Sequence, residues 1–162
     1  MKYLLDSNVF IEAKNGYYSF NIAGGFWDWL ELFMEEQSFL TIREVRKELT
    51  DYNDELKDWI IQFQPSQFIE EDLEIQQNMR EITNYVLNHE TFSPENKSMF
   101  LAKADPWLIA TAMARGYVVV THENKVGKGA KKVKIPNICE TFGVEYINVF
   151  ELMRTKNVNL RL

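Results

Sequence analysis

The sequence predicts an α/β fold in which a central parallel sheet is covered by helices on both faces. Three observations lead there. Short apolar or β-branched runs at 2–5, 117–121 and 144–148 have the length and composition of buried parallel strands. The segments between them carry apolar residues at helical spacing, bounded by cap and stop residues. Strand-like and helix-like segments alternate, as crossover connections in a parallel sheet require.

Strand one, residues 2–5, is built on Tyr3, Leu4 and Leu5 and stops on Asp6, followed by Ser7 and Asn8. A loop is expected through 13–25. Residues 26–36 then place Phe26, Trp27, Leu30, Phe33 and Met34 at helical spacing. A short apolar stretch at 38–40 leads into a helix through Ile42, Val45 and Leu49, with Thr41 or a neighbour as its cap. Residues 54–64 read as helix. Ser66 precedes a long helical stretch, 67–90, with Ile69, Leu73, Met79, Ile82 and Val86 on one side. Ser93 and Pro94 announce another helix start, so roughly 50–104 is expected to be a helical middle segment.

The stretch DPWLIATAMARGYVVVTHEN, 105–124, is the clearest unit: Asp105 as cap, Pro106 at the first helical position, Gly116 as stop, then a buried strand. A lysine-rich loop follows. Asn137 is expected to cap a short helix that Gly143 ends, and Asn148 to cap a last helix over 149–156.

At 162 residues the chain is long enough to bury a sizeable core, and one domain over 1–162 is expected. With 46% hydrophobic and 14% aromatic residues it is a folding chain rather than a disordered one. Its 24 acidic and 18 basic residues leave a net charge of −6, so attraction to nucleic acid has to be local rather than global. The single cysteine, Cys139, cannot form an intrachain disulfide and suits a reducing cytoplasm. No apolar run approaches the ~20 residues of a membrane span, and the first residues are too short for a secretory hydrophobic region. A soluble cytoplasmic protein is the expectation.

Acidic residues stand at four separate joints. In open parallel sheets, ligands bind in the crevice outside the carboxyl ends of the strands. Asp6 follows strand one, Glu123 follows the 117–121 strand, and Asp105 opens a helix. Glu44 and Glu48 share a helix face, four residues apart, and Val45 and Leu49 hold Glu48 near the sheet. Each acid alone reads as a cap, a turn or a solvated helix residue. Brought together, like charges call for a cation. Oxygen ligands without His or Cys suit Mg²⁺ or Mn²⁺ rather than zinc. His89 and His122 lack ligand spacing and read as surface residues.

The motifs YLLDSNVFIE, REVRKEL, ADPWLIATAMARGYVVVT and THE resemble, in order and spacing, those of the PIN-domain ribonucleases. The chain also looks like a bacterial branch of PIN-like proteins with a similar lysine-bearing loop. The resemblance implies a PIN-like three-layer α/β/α fold and metal-dependent hydrolysis of RNA phosphodiester bonds, commonly by the toxin of a type II toxin–antitoxin pair. Asp6, Glu48, Asp105 and Glu123 would be the catalytic metal ligands, for one or two Mg²⁺ or Mn²⁺ ions. Ser7, Asn8, Thr121 and Glu44 would support them. An antitoxin partner and a homodimer are implied in the same way. One departure stands out: Glu123 occupies the place where the family usually has Asp.

Lys125, Lys128, Lys131, Lys132 and Lys134 follow Glu123 closely and offer a local seat for RNA phosphates, or a solvated loop. Arg43, Arg46 and Lys47 are secondary candidates. Tyr17, Tyr18, Phe20, Phe26, Trp27 and Trp29 read as core or partner surface before base-stacking platform. A phosphatase of the haloacid-dehalogenase type would need an Asp two residues after Asp6, where Asn8 stands. A receiver domain would need an acidic pair before strand one, which is absent. The competing class is a PIN-like module that binds protein or RNA with weak catalysis or none.

Overall fold

The computed structural model describes residues 1–160. In chain order the elements are β1 (Tyr3–Leu5), α1 (Ser7–Asn15), α2 (Gly24–Glu35), β2 (Phe39–Ile42), α3 (Arg43–Asp51), α4 (Glu55–Ile60), β3 (Phe68–Ile69), α5 (Leu73–Asn88), α6 (Pro94–Ala102), α7 (Asp105–Arg115), β4 (Val118–Val120), α8 (Ile135–Thr141), β5 (Tyr146–Ile147) and α9 (Val149–Thr155). The five strands form one parallel sheet in the order β3-β2-β1-β4-β5. Helices α1, α3 and α4 pack on one another, and α5, α6, α7 and α8 form a second packed group. The result is a three-layer α/β/α fold.

The inner strands are short and apolar on both faces, because helices cover the sheet on either side. Leu4, Leu5, Val119 and Val120 are completely buried. Each such side chain contributes roughly 1.5–3 kcal/mol when fully removed from water. An aromatic cluster thickens one side: Phe26, Phe33 and Phe39 each pack on Trp29, while Trp27 and Phe10 meet Trp59. Phe26, Trp27 and Trp29 are therefore core, as read; Tyr17 is the exposed member of that group, at 91%.

Chain direction decides where a site can form. The first crossovers build outward from β1 through β2 to β3, then the chain returns to the other side of β1 and lays down β4 and β5. The reversal lies between β1 and β4, where Leu5 pairs with Val120. The next residues, Asp6 and Thr121, are consequently side by side, and the Asp6 N–H donates to the Val120 carbonyl at 3.0 Å. This is the switch-point crevice that the strand pattern predicts.

Five local expectations need correction. The segment after β1 is helix α1 through Asn15, where a loop is expected up to residue 25. Thr41 is not a helix cap; it belongs to β2, and its hydroxyl donates to the Leu5 carbonyl at 2.8 Å, tying β2 to β1. The middle segment is not all helix, because Phe68–Ile69 pairs with Thr41–Ile42 as edge strand β3. Asp105 is the first residue of α7 and not its cap. Asn137 does not cap α8: its side-chain amide clasps the Val126 N–H and carbonyl at 3.0 and 2.8 Å, pinning the lysine loop. Gly116, with φ of 70°, stops α7 as read, in a conformation that glycine alone adopts cheaply. Ser93 and Asn148 cap their helices as read.

Among the described residues no helix is long and apolar enough to cross a membrane. Cys139 is fully buried. Burial, with the Glu123 and Asp6 charges added, pushes its thiol up to about 12, so it serves as packing and not as a nucleophile.

Candidate active site

Asp6 ends β1 and is 1% exposed. Its Oδ2 accepts from the Thr121 hydroxyl at 2.9 Å, and its Oδ1 accepts from Ser7 at 3.4 Å. The Thr121 hydroxyl also accepts from the Glu123 N–H at 3.1 Å, so one side chain links the ends of both strands. A carboxyl in such a place resists ionisation. Burial pushes Asp6 well above the usual carboxylate range, the Asp105 charge adds to it, Thr121 opposes, and Glu123 and Glu48 add further.

Glu48 sits on the second turn of α3, and its Oε1 accepts from the Ala104 N–H at 2.8 Å. It thereby satisfies an N–H at the start of α7 and fixes α7 against α3. Glu123 does the same for α8: its Oε2 accepts from the Ile135 N–H at 2.7 Å. These two distant carboxylates perform the capping that local reading assigns to Asp105 and Asn137. Asp105 is left without a capping bond at the head of α7. Burial, then the Glu123 and Glu48 charges, push its carboxyl up to about 7, with Lys103 and Lys134 opposing.

The four predicted acids therefore come together. Glu48, Asp105 and Glu123 line a cleft of about 310 Å³ with Ser7 and Asn8, and the charges of Asp105, Glu123 and Glu48 all act on the Asp6 carboxyl in the core behind it. Among the described residues, none of the four acids has a lysine, arginine or histidine within ion-pairing distance. The donor chemistry, carboxylate and hydroxyl oxygen, fits a hard divalent cation. The side chains as placed are not a finished cage: among the described residues no three His, Cys, Asp or Glu groups converge closely enough to hold a metal.

Glu44 belongs elsewhere. Burial pushes its carboxyl up and the neighbouring Glu71 adds to this, and it does not line the cleft. Glu48→Gln keeps an oxygen for Ala104 and removes a charge from the cluster. It is expected to lower divalent-cation affinity with little change in melting temperature, whereas Glu44→Gln leaves affinity as it was. Calorimetric Mn²⁺ titration of both variants checks this, and the opposite ranking would refute the assignment of Glu48.

The lysines divide. Lys132 and Lys134 line a smaller cleft of about 190 Å³ that shares Lys103, Asp105 and Glu123 with the first. Lys125 is paired with Glu140 at 2.6 Å. With Lys128 it lines a separate cavity of about 730 Å³ beside Tyr85, His89 and Phe92. The Lys131 carbonyl accepts from Ser93 N–H and the Asn96 amide, anchoring the loop to the start of α6. Arg43 is engaged by Glu70 and Glu71, and Arg46 lies over the Phe68 ring. The histidines are less superficial than expected: His89 stacks on Phe92 at 3.7 Å, and the His122 side chain is 16% exposed beside Glu12.

Sequence reasoning missed Lys103, Asp51, Tyr52 and Ile11, all lining the acid cleft. Lys103 had one available signal: it lies two residues before Asp105 and therefore had to share its surroundings. No curated protein matches the chain. A family profile does match, over residues 3–160 and hence over every element that builds the cleft; the chain belongs to the family described as a domain of unknown function (DUF4411).

Proposed function

We propose that this protein is a divalent-cation-dependent endoribonuclease with a PIN-like site, acting in the cytoplasm as the toxin of a toxin–antitoxin pair. The observation that carries the reading is the meeting of four carboxylates, from four separate stretches of chain, at the switch point of a parallel sheet, none of them ion-paired among the described residues. Such an arrangement is unfavourable for stability alone and becomes favourable when a cation joins it.

Asp6, Glu48, Asp105 and Glu123 would hold Mg²⁺ or Mn²⁺. When bound, the ion activates a water and offsets charge on the scissile phosphate. The chain's own contributions are positional. Thr121 fixes the Asp6 carboxylate and the Glu123 backbone with one hydroxyl. Glu48 and Glu123 each commit one oxygen to a helix start and retain the other. Asp105, pushed up to about 7 by burial and the Glu123 and Glu48 charges, holds a proton near neutrality that a cation would displace on binding.

The second reading, a binding module without catalysis, draws on those same two backbone bonds, since they give Glu48 and Glu123 a structural use. End-labelled single-stranded RNA separates the two. The nuclease reading expects shortening by the wild-type protein with Mg²⁺ or Mn²⁺, none with a chelator, and none by Asp105→Asn at unchanged fold. An inert wild type, or an active Asp105→Asn, would refute it.

A further inference from the structure

The acid cleft and the smaller cleft beside it share three residues, Lys103, Asp105 and Glu123, so they are two arms of one depression meeting at the carboxylates. The arms differ in chemistry. The first is walled by Asn8, Ile11 and Tyr52 with the carboxylate of Asp51 and no cation of its own, and Tyr52 is 59% exposed. The second is walled by Lys132 and Lys134 with Asn96. Lys103 stands at the junction, directly before the Ala104 N–H that Glu48 holds, so its backbone is fixed by the site itself. Among the described residues, Lys103, Lys132 and Lys134 form no ion pair, which leaves three positive charges for an anion from outside.

On the reading of this site as a ribonuclease, we propose that the depression is a two-sided substrate seat. Lys103, Lys132 and Lys134 take the backbone phosphate on one side of the scissile bond, and Tyr52 stacks the nucleobase on the other. An exposed aromatic ring beside a polar groove is the surface on which unpaired bases stack, and stacking requires them to be unpaired. Lysines supply charge without base information, so they hold the strand's register and not its sequence. Any base preference of the seat then comes from the Tyr52 arm.

The test uses the full-length protein in an Asp6→Asn background, where cleavage cannot distort binding. Its probes are a single-stranded oligoribonucleotide and an abasic phosphodiester oligomer of equal length. Lys103→Gln with Lys132→Gln, both on exposed side chains, is expected to weaken both probes. It should also flatten the dependence of log affinity on log salt by roughly 0.7 per lost contact. Tyr52→Ala is expected to weaken the RNA about tenfold while leaving the abasic oligomer and the salt slope unchanged. If wild type cleaves RNA and the parent binds it, but neither substitution alters binding as described, the two-sided seat is refuted and the nuclease reading stands. If wild type neither binds nor cleaves RNA, both fall together.

Discussion

Replacing Asp6 by asparagine is expected to abolish RNA cleavage and, at the same time, to raise the melting temperature of the cation-free protein. Groups that merely orient a metal ligand already cost about 10- to 100-fold when removed, so losing the most buried ligand should cost more than about a hundredfold. The stability gain has a separate origin. Asp6 is almost fully buried, with three other carboxylates acting on it and a hydroxyl as its main support. An asparagine oxygen still accepts from Thr121, and its amide can donate to the Ser7 hydroxyl, so the hydrogen bonds survive while the repulsion goes. Activity assays paired with thermal melts read both effects. Lost activity with a lowered melting temperature would point to a structural role for Asp6 instead.

The cation-free protein is also expected to lose stability as pH rises through the neutral range. The folded state raises Asp105 from 3.8 to about 7 and raises Asp6 in the same direction. Between those values the folded protein keeps protons that the unfolded chain releases. The stabilisation is therefore complete below pH 3.8 and is lost as pH climbs through about 7. Linkage sets the steepest slope at about 1.4 kcal/mol per pH unit for each proton held. Denaturant midpoints between pH 5 and 8 should fall accordingly, and Asp105→Asn should flatten the profile. Added Mg²⁺ or Mn²⁺ should restore stability at pH 8 and do little at pH 5, where protons already neutralise the cluster. A wild-type profile that rises with pH would contradict this account of the site.

Three of the five strands, most helices and the four acids are legible in the sequence for one reason. Each acid interrupts or ends an apolar element, and the order of elements fixes which ends meet. What escaped it was non-local. Local sequence places helix caps in neighbouring residues, whereas α7 and α8 receive their bonds from Glu48 and Glu123, 56 and 12 residues away. Strand β3 was hidden because Ile69 and Leu73 fall at helical spacing, yet Ile69 extends the sheet and Leu73 is 70% exposed at the start of α5. Thr41 looked like a cap because its residue type suits one, but its hydroxyl is used between strands. The lysine loop read as one patch, and only the fold shows it turning Lys132 and Lys134 toward the acids and Lys125 away, against Glu140.

The central claim is that the four carboxylates bind a divalent cation. It is tested most directly by titrating Mn²⁺ at pH 8 and following the free ion by electron paramagnetic resonance, for the wild type and for Asp6→Asn. The account predicts that the wild type depletes the free-ion signal and that Asp6→Asn does so far less. An undiminished signal with the wild type, or equal depletion by both proteins, would contradict it.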